Sequence, residues 1–89
     1  MQMGAKHILV DHEHEAQDLI KKLEDGKTFE ELALNYSNCP SSKQGGDLGT
    51  FGKGMMVKPF EQAVLELEPG TVSGPVKTQF GYHLIKRTK

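Results

Sequence analysis

Alternating residues near the start of the chain predict a short β-strand at Lys6–Val10. Successive side chains of an extended strand point to opposite faces of a sheet. His7 and Leu9 therefore share one face of this strand, whereas Ile8 and Val10 share the other. We expect this segment to be the first strand of a sheet.

The last third of the chain also has the composition of β-strands. Thr71–Lys77 is one strand candidate, although Pro75 lacks a backbone N–H and therefore favours a sheet edge or a break. Tyr82–Arg87 is expected to be the final strand, with His83 and Ile85 on one face. Each of the two end strands thus has one histidine in phase with an aliphatic residue.

Three segments between these strands have the apolar spacing of amphipathic helices. The first follows Asp11, which we expect to be its cap. The second is predicted at Phe29–Tyr36 behind Thr28, and the third begins at Pro59 and stops before Gly70. Their apolar positions are Ala16, Leu19, Ile20 and Leu23, then Phe29, Leu32, Ala33 and Tyr36, then Phe60, Ala63, Val64 and Leu67.

Periodicity disappears between residues 37 and 54, where Gly, Ser, Asn and Pro dominate, as is typical of loops. A short strand at Asp47–Phe51 is expected to interrupt this region. The resulting order has three helices between the first strand and the last two, without regular βαβ alternation. We therefore expect the α+β class, with helices packed around a small antiparallel or mixed sheet.

Composition narrows the picture to one domain. The chain is 36% hydrophobic and 26% charged, with a formal net charge of -1, and this composition is too apolar for disorder. Its 89 residues are too few for two domains. We expect a single domain over residues 1–89, with residues 1–4 as a flexible extension. The charge is not basic enough to predict binding to nucleic acid. The longest apolar run is Ile8–Val10, so we expect no membrane segment and no signal peptide, and therefore a cytoplasmic location. For a soluble single domain of this charge we expect a monomer.

Several residues carry candidate chemistry. If the first and last strands are neighbours, His7 and His83 meet on one face, either as a hydrogen-bonded structural pair or as part of a site. Cys39 is either a nucleophile with a histidine base or a small buried side chain, and no oxyanion-hole signature accompanies it. As metal ligands, His12 and His14 have poor spacing and no C-x-x-C motif supports them. We therefore expect no metal and no cofactor.

Five ordered blocks together resemble the parvulin family of peptidyl-prolyl cis-trans isomerases. The match spans nearly the whole chain, and the order of the blocks makes it specific. The blocks are His7-Ile8-Leu9-Val10, Tyr36-Ser37-Asn38-Cys39-Pro40-Ser41, Gly45-Gly46-Asp47-Leu48-Gly49-Thr50-Phe51, Gly54-Met55-Met56-Val57-Lys58-Pro59-Phe60 and Thr78-Gln79-Phe80-Gly81-Tyr82-His83-Leu84-Ile85.

The resemblance implies a four-stranded antiparallel sheet surrounded by four helices, in the order β-α-α-α-β-α-β-β, with a short extra helix after Cys39. It implies that His7 and His83 form a hydrogen-bonded pair beneath the site, that Thr78 joins this network, and that Cys39 lies beside the reacting peptide bond. The substrate-binding positions it implies are Leu48, Met56 and Phe60 in a proline pocket, Phe51 in support, and Gln79 and Phe80 at the rim.

The resemblance further implies an enzyme that rotates X-Pro bonds without covalent chemistry and assists protein folding, with proline-containing segments of unfolded or partly folded proteins as its partners. Phospho-specific members have a basic loop after the first strand, where this chain has the acidic stretch Asp11–Glu15. Val57 and Phe80 are apolar where those members tend to be polar. We therefore expect unphosphorylated substrates and an apolar preference before proline. The alternatives are a parvulin-shaped binding or chaperone module without catalysis, and a Cys-dependent or metal-binding domain.

Overall fold

The structure is a computed structural model that describes residues 2–89. It belongs to the predicted α+β class, with one four-stranded antiparallel sheet, three α-helices and a short 3-10 helix where the resemblance implied a fourth. The elements are β1 (Gln2–Val10), α1 (Glu13–Glu24), α2 (Phe29–Tyr36), the 3-10 helix (Pro40–Gln44), β2 (Asp47–Gly52), α3 (Lys58–Glu66), β3 (Val76–Thr78) and β4 (Gly81–Arg87).

The sheet brings the two ends of the chain together at its centre. The strands lie in the order β2-β1-β4-β3, and every neighbouring pair is antiparallel. In the β1–β4 pair, His7 is opposite Ile85 and Leu9 is opposite His83. The first and last strands are therefore neighbours, which is the condition under which the two histidines meet.

Both faces of the sheet are covered, and each has its own hydrophobic core. One face packs against α1 and α2, and its core consists of Ile8, Val10, Ala16, Leu19, Phe29, Leu32, Ala33 and Leu84. The other packs against α3, and its core consists of Met3, Ala5, Phe51, Phe60, Val64 and Ile85. The alternation of β1 and β4 thus divides their side chains between two cores.

The first residues belong to the sheet, so the expected flexible extension is wrong for residues 2–4, while Met1 lies outside the described residues. The side chain of Met3 is fully buried, and Gly4 donates its N–H to the carbonyl oxygen of the last residue at 3.1 Å. The alternation that places His7 on the α3 side continues backwards through Ala5 and Met3. Burial of these side chains holds the start of β1 in place although its composition is not typical of a strand.

The third strand is shorter than the segment Thr71–Lys77 predicted from composition. Only Val76–Thr78 forms a ladder with β4, whereas Val72 makes one isolated bridge to Lys86. Pro75 lies immediately before this strand, and its missing N–H cannot contribute to a ladder. β3 is also an edge strand of the sheet, as proline near it favours.

The helix starts show one correct prediction and one error. The bounds of α2 are those predicted, and the Thr28 hydroxyl accepts the N–H of Glu31 at 3.1 Å, which caps the helix. The cap of α1 is His12 rather than Asp11. The backbone N–H of His12 donates to the Glu15 carboxylate at 3.0 Å, and this reciprocal contact places the start of the helix one residue later than expected.

A glycine before β2 fixes the backbone of the first histidine. Gly46 has a φ of +85°, and its carbonyl oxygen accepts the N–H of His7 at 2.9 Å. A Cβ at this position would lie 2.4 Å from the His7 carbonyl oxygen. Only glycine fits this approach of the two backbones, so the loop holds His7 from the side opposite β4.

Candidate active site

A cavity of about 470 Å³ opens at the α3 side of the sheet, where five separate segments of the chain meet. β1 and β4 supply its floor, and β2, α3 and the loop that follows α2 supply its walls. None of its lining residues is Lys, Arg, Asp or Glu. They are His7, Leu9, Asn38, Cys39, Pro40, Leu48, Met55, Met56, Val57, Phe60, Phe80 and His83.

The floor is a buried pair of histidines in a hydrogen-bonded network. The Nδ1 atoms of His7 and His83 lie 2.9 Å apart, and Nε2 of His83 lies 2.7 Å from Oγ1 of Thr78. The same Thr78 oxygen accepts the backbone N–H of Phe80 at 3.1 Å. The Phe60 ring meets the two imidazoles edge-on, with centroids 5.6 and 5.3 Å away. The network therefore ties β1, β3 and β4 together beneath the cavity.

Burial keeps both rings neutral. Removal from water lowers the pKa of His7 and of His83 from the ordinary value of 6.5 to about 4, because the charged imidazolium loses its hydration. For His7, the positive charge that His83 can acquire lowers the pKa further. At neutral pH each ring has one N–H and one bare nitrogen.

Hydrogen-bond accounting assigns the ring protons. Among residues 2–89, Nε2 of His83 is the acceptor within reach of the Thr78 O–H, whose oxygen also accepts the Phe80 N–H. We infer that His83 then donates its Nδ1–H to Nδ1 of His7, whose proton is on Nε2. The reverse order would leave the Thr78 hydroxyl hydrogen without an acceptor, in addition to Nε2 of His7, which has no partner among residues 2–89. Imidazole ¹⁵N chemical shifts measure the assignment, and a proton on Nδ1 of His7 would contradict it.

The loop that follows α2 carries Cys39 into the cavity. The Ser37 hydroxyl accepts the N–H of Leu9 at 3.0 Å and that of Cys39 at 3.3 Å, and Asn38 donates its N–H to the Leu9 carbonyl at 2.8 Å. These bonds attach the loop to the end of β1. Cys39 is half-buried, and among residues 2–89 its thiol makes no hydrogen bond to either imidazole. The arrangement is therefore not that of a thiol with its base.

One wall of the cavity is apolar and backed by the core. Leu48, Met56 and Phe60 line it, from β2, the segment between β2 and α3, and α3. Phe51 is buried behind this wall, and its ring centroid lies 6.4 Å from that of Phe60. The side chain of Phe51 thus supports the wall without reaching the cavity.

The rim of the cavity exposes two large apolar side chains. Met55 is 70% exposed and Phe80 is 58% exposed, and both belong to the lining. Gln79, which the resemblance placed at the rim, is exposed but is not part of the lining. Exposed apolar groups of this size beside a cavity are typical of surfaces that bind another apolar group.

Two other kinds of feature are absent from the part of the chain that the structure describes. Over residues 2–89, no group of three or more His, Cys, Asp or Glu side chains is placed to hold a metal ion. The rings of His12 and His14 stack on each other at 5.4 Å on the surface of α1. In the same range, no helix has both the length and the apolar character needed to cross a bilayer.

Comparison with known proteins decides the family. Residues 6–89 match the family model described as Rotamase: PPIC-type PPIASE domain. The chain belongs to the parvulin family of peptidyl-prolyl isomerases. It is 53% identical to foldase protein PrsA of Geobacillus kaustophilus over 85 residues, which is 94% of this chain and 30% of that protein. The chain thus spans about a third of the length of the curated relatives it matches.

Solved structures agree with this parvulin assignment. The crystal structure of PrsA from Bacillus subtilis matches 99% of this chain and 35% of its own, with a TM-score of 0.95 and 47% identity. The solution structure of NmPin, the parvulin of Nitrosopumilus maritimus, also has 47% identity, with a TM-score of 0.87. It covers 99% of this chain and 96% of its own, so the likeness includes a parvulin of nearly the same length.

The parvulin resemblance located most of the candidate site. The catalytic candidates line the cavity except for Thr78, which lies beneath it and contacts His83. Five lining residues were not among the predicted site residues, namely Leu9, Asn38, Pro40, Met55 and Val57. Leu9 was detectable because its strand phase equals that of His7, and Met55 and Val57 flank the predicted Met56. Asn38 and Pro40 reach the cavity only through the loop bonds to β1. The lining residues that had been predicted are His7, Cys39, Leu48, Met56, Phe60, Phe80 and His83.

Proposed function

We propose that the protein accelerates rotation about X-Pro peptide bonds in unphosphorylated segments of unfolded or partly folded proteins, and so assists their folding. Its membership of the isomerase family supports the reaction, and relatives named foldase support the role in folding. The observation that carries the proposal is an uncharged cavity with an apolar wall above a neutral histidine pair.

The reaction needs no new covalent bond. The barrier to rotation, about 18 to 20 kcal/mol, is the loss of amide resonance in the twisted state. A thousandfold acceleration requires the enzyme to bind that state about 4 kcal/mol better than the planar one. Leu48, Met56 and Phe60 supply a surface against which a proline ring can be held while the preceding residue turns.

The absence of charge from the lining favours the twisted state. A planar amide is more dipolar than a twisted amide, so water and nearby ions stabilise the planar ground state. A peptide bond that exchanges water for this uncharged lining and two neutral rings loses this stabilisation. The low pKa of His7 and His83 is thus part of the proposed mechanism, and Thr78 acts by holding the neutral rings in position.

Cys39 is the polar group proposed to act next to the substrate carbonyl. Nε2 of His7 is buried without a partner among residues 2–89, so this ring is proposed to shape the floor of the cavity. Cys39 is half-buried in the lining, where its polarizable thiol adjusts the polarity around the carbonyl. Neither role transfers a proton to or from the substrate.

The charges near the cavity support unphosphorylated substrates. α1 follows β1 almost directly; Asp11 at the junction accepts the side-chain N–H of the lining residue Asn38 at 3.3 Å, and Glu13 and Glu15 follow in the first turn of α1. Carboxylates repel a phosphate, which is normally bound by clustered arginines or lysines. The exposed apolar side chains of Phe80 and Met55 at the rim support a preference for an apolar residue beside proline.

NMR exchange spectroscopy with catalytic amounts of protein tests the proposal. Unphosphorylated Ala-X-Pro-Phe peptides are expected to show faster cis-trans exchange, fastest for apolar X, whereas phospho-Ser at X gives no gain. Met56→Ala removes part of the wall, and we expect it to reduce kcat/KM about tenfold. Leu34→Ala is the matched control, because Leu34 is exposed and lies outside the cavity lining.

A peptide-binding module without catalysis is the alternative outcome of the same experiment. If added peptide changes the chemical shifts of Phe80 and Met56 in the protein but cis-trans exchange is not faster, the result would support binding alone and contradict the proposed reaction. A large preference for the phosphorylated peptide would contradict the proposed substrate class. The cytoplasmic location and the monomeric state stay predictions, which cell fractionation and light scattering measure.

A further inference from the structure

The segment that joins β2 to α3, residues 53–57 (here the cavity loop), is an exposed part of the cavity wall. It supplies Met55, Met56 and Val57 to the lining. Lys53, Gly54 and Met55 are all exposed. The position of this loop therefore determines whether the apolar wall is complete.

Glu61 attaches the cavity loop to α3. The Glu61 carboxylate accepts the backbone N–H of Gly54 at 2.7 Å, across seven residues of sequence. Its own backbone N–H donates to the carbonyl oxygen of Val57 at 3.0 Å. One residue of the first turn of α3 thus contacts the loop near its start and at its end. A carboxylate that accepts an N–H makes a stronger hydrogen bond than a neutral acceptor does.

The other polar contacts of the cavity loop are local. Met55 donates its N–H to the Gly52 carbonyl at 3.3 Å, and the Gly52 N–H lies 3.2 Å from the sulfur of Met55. Both contacts close a turn at the end of β2 without reaching α3. Gly54 has a φ of +84°, and nothing lies within 4 Å of the place where its Cβ would be. Met56 and Val57 pack against the core beside α3, so packing holds the end of the loop, whereas the contact with Glu61 holds Gly54.

We propose that Glu61 is a positioning residue of the isomerase, whose carboxylate holds the cavity loop in the conformation that binds proline. If that bond is lost, the loop occupies other conformations for part of the time. The apparent affinity for substrate then falls in proportion to the fraction of molecules with a complete wall. Bound substrate stabilises the complete wall, so turnover at saturation changes little. The proposal rests on the proposed isomerase function for its kinetic consequence, but the attachment itself does not.

Three variants test the proposal in the NMR exchange assay. Glu61→Ala removes the acceptor, and we expect KM to rise about fivefold with kcat within about twofold. Glu61→Gln keeps an acceptor oxygen of the same reach, so its KM should stay within about twofold of the original protein. Glu66→Ala is the control, because Glu66 is exposed on the same helix and the substitution changes the charge equally. This control should leave both constants unchanged.

Hydrogen exchange at the Gly54 amide measures the attachment without any substrate. We expect faster exchange in Glu61→Ala and unchanged exchange in Glu66→Ala. If Glu61→Ala does not fold, as judged by circular dichroism, Glu61→Asp replaces it, since its charge is retained but its shorter side chain does not reach Gly54. The same rise in KM is expected.

Three results would overturn the proposal. They are equal KM values in Glu61→Ala and Glu66→Ala, a loss confined to kcat, and faster Gly54 exchange without a change in KM. If the original protein binds peptides but shows no isomerase activity, the proposed function fails separately. The peptide Kd of the three variants, measured by chemical-shift titration, then decides whether Glu61 positions the loop.

Discussion

The two faces of the sheet are made by alternate residues of the same strands, yet one face is covered by an apolar core and the other also carries a cavity. On the face toward α1 and α2 (here the closed face), Ile8, Val10 and Leu84 are at most 2% exposed and belong to one apolar core. On the face toward α3, Met3, Ala5 and Ile85 form a similar core. At the corresponding end of this second face, two histidines and a cavity take the place of aliphatic side chains.

This difference separates stability from reactivity along single strands. In β4, Leu84 faces the closed core, while His83 before it faces the cavity. A buried polar ring costs free energy unless it is hydrogen-bonded. On the face that carries the cavity (here the open face), Thr78 makes a hydrogen bond with His83. Among residues 2–89 the closed face has no buried polar side chain, so it packs the sheet against two helices while the open face keeps space for a ligand.

Acid is expected to lower the free energy of unfolding more than any single substitution below does, and to act through the two histidines of the open face. The folded-state pKa values of His7 and His83 are about 4, below the ordinary 6.5. Since the unfolded chain binds these protons first, the free energy of unfolding is complete above pH 6.5 and falls as the pH approaches 4. The loss is about 1.4 kcal/mol per pH unit for each histidine, or about 3 kcal/mol each as an upper value. Urea unfolding followed by circular dichroism measures the slope.

Two variants identify the source of that slope. His14 is exposed on α1, so His14→Gln should keep the pH dependence of the original protein. His83→Gln removes one of the two buried rings and should reduce the slope between pH 6.5 and 4. Equal slopes in the original protein and in His83→Gln would contradict the assignment of this acid sensitivity to the open face.

Leu84→Ala tests the closed face. Leu84 is fully buried, and its truncation should lower the free energy of unfolding by about 3 kcal/mol through lost burial and a residual cavity. The kcat/KM of the folded variant should stay within about twofold, because the side chain points away from His83. If kcat/KM falls more than tenfold in a variant that is still folded, the two faces are not separable.

Cys39→Ser is the smallest change expected at the open face. The substitution keeps the size of the side chain and removes the thiol from the lining. Rotation about the peptide bond needs no nucleophile, so kcat/KM should stay within about threefold in the exchange assay. Near-complete loss of activity with an unchanged circular dichroism spectrum would instead favour a covalent role for the thiol.

Local pattern located the three helices and set the bounds of one of them, but it did not set the ends of the sheet. The apolar stripe and Thr28 defined α2 to the residue, because both signals lie within the helix itself. The start of β1 was missed because Met3 is held by the core beside α3 and Gly4 by the C-terminal residue. These are long-range contacts that no window of local sequence contains. The 3-10 helix was likewise invisible to periodicity.

The candidate site shows the same limit. Strand phase placed His7 and His83 each beside an aliphatic residue, but their meeting depends on the pairing of β1 with β4. Only the family resemblance supplied that pairing and the roles of Thr78 and Cys39. The contact of Glu61 with Gly54 had no signal in the sequence, because a glutamate in the first turn of a helix is common for electrostatic reasons alone.

The central position of β1 and β4 also determines when the site can form. His7 and His83 are separated by 76 residues, and their contact closes nearly the whole chain into one loop. Closing a loop of this length has an entropic cost that is recovered only when the final strand docks. During synthesis, β1 therefore cannot pair with β4 until β4 has left the ribosome. The floor of the cavity and the centre of the sheet are completed in the same event, so no partly made sheet contains the site.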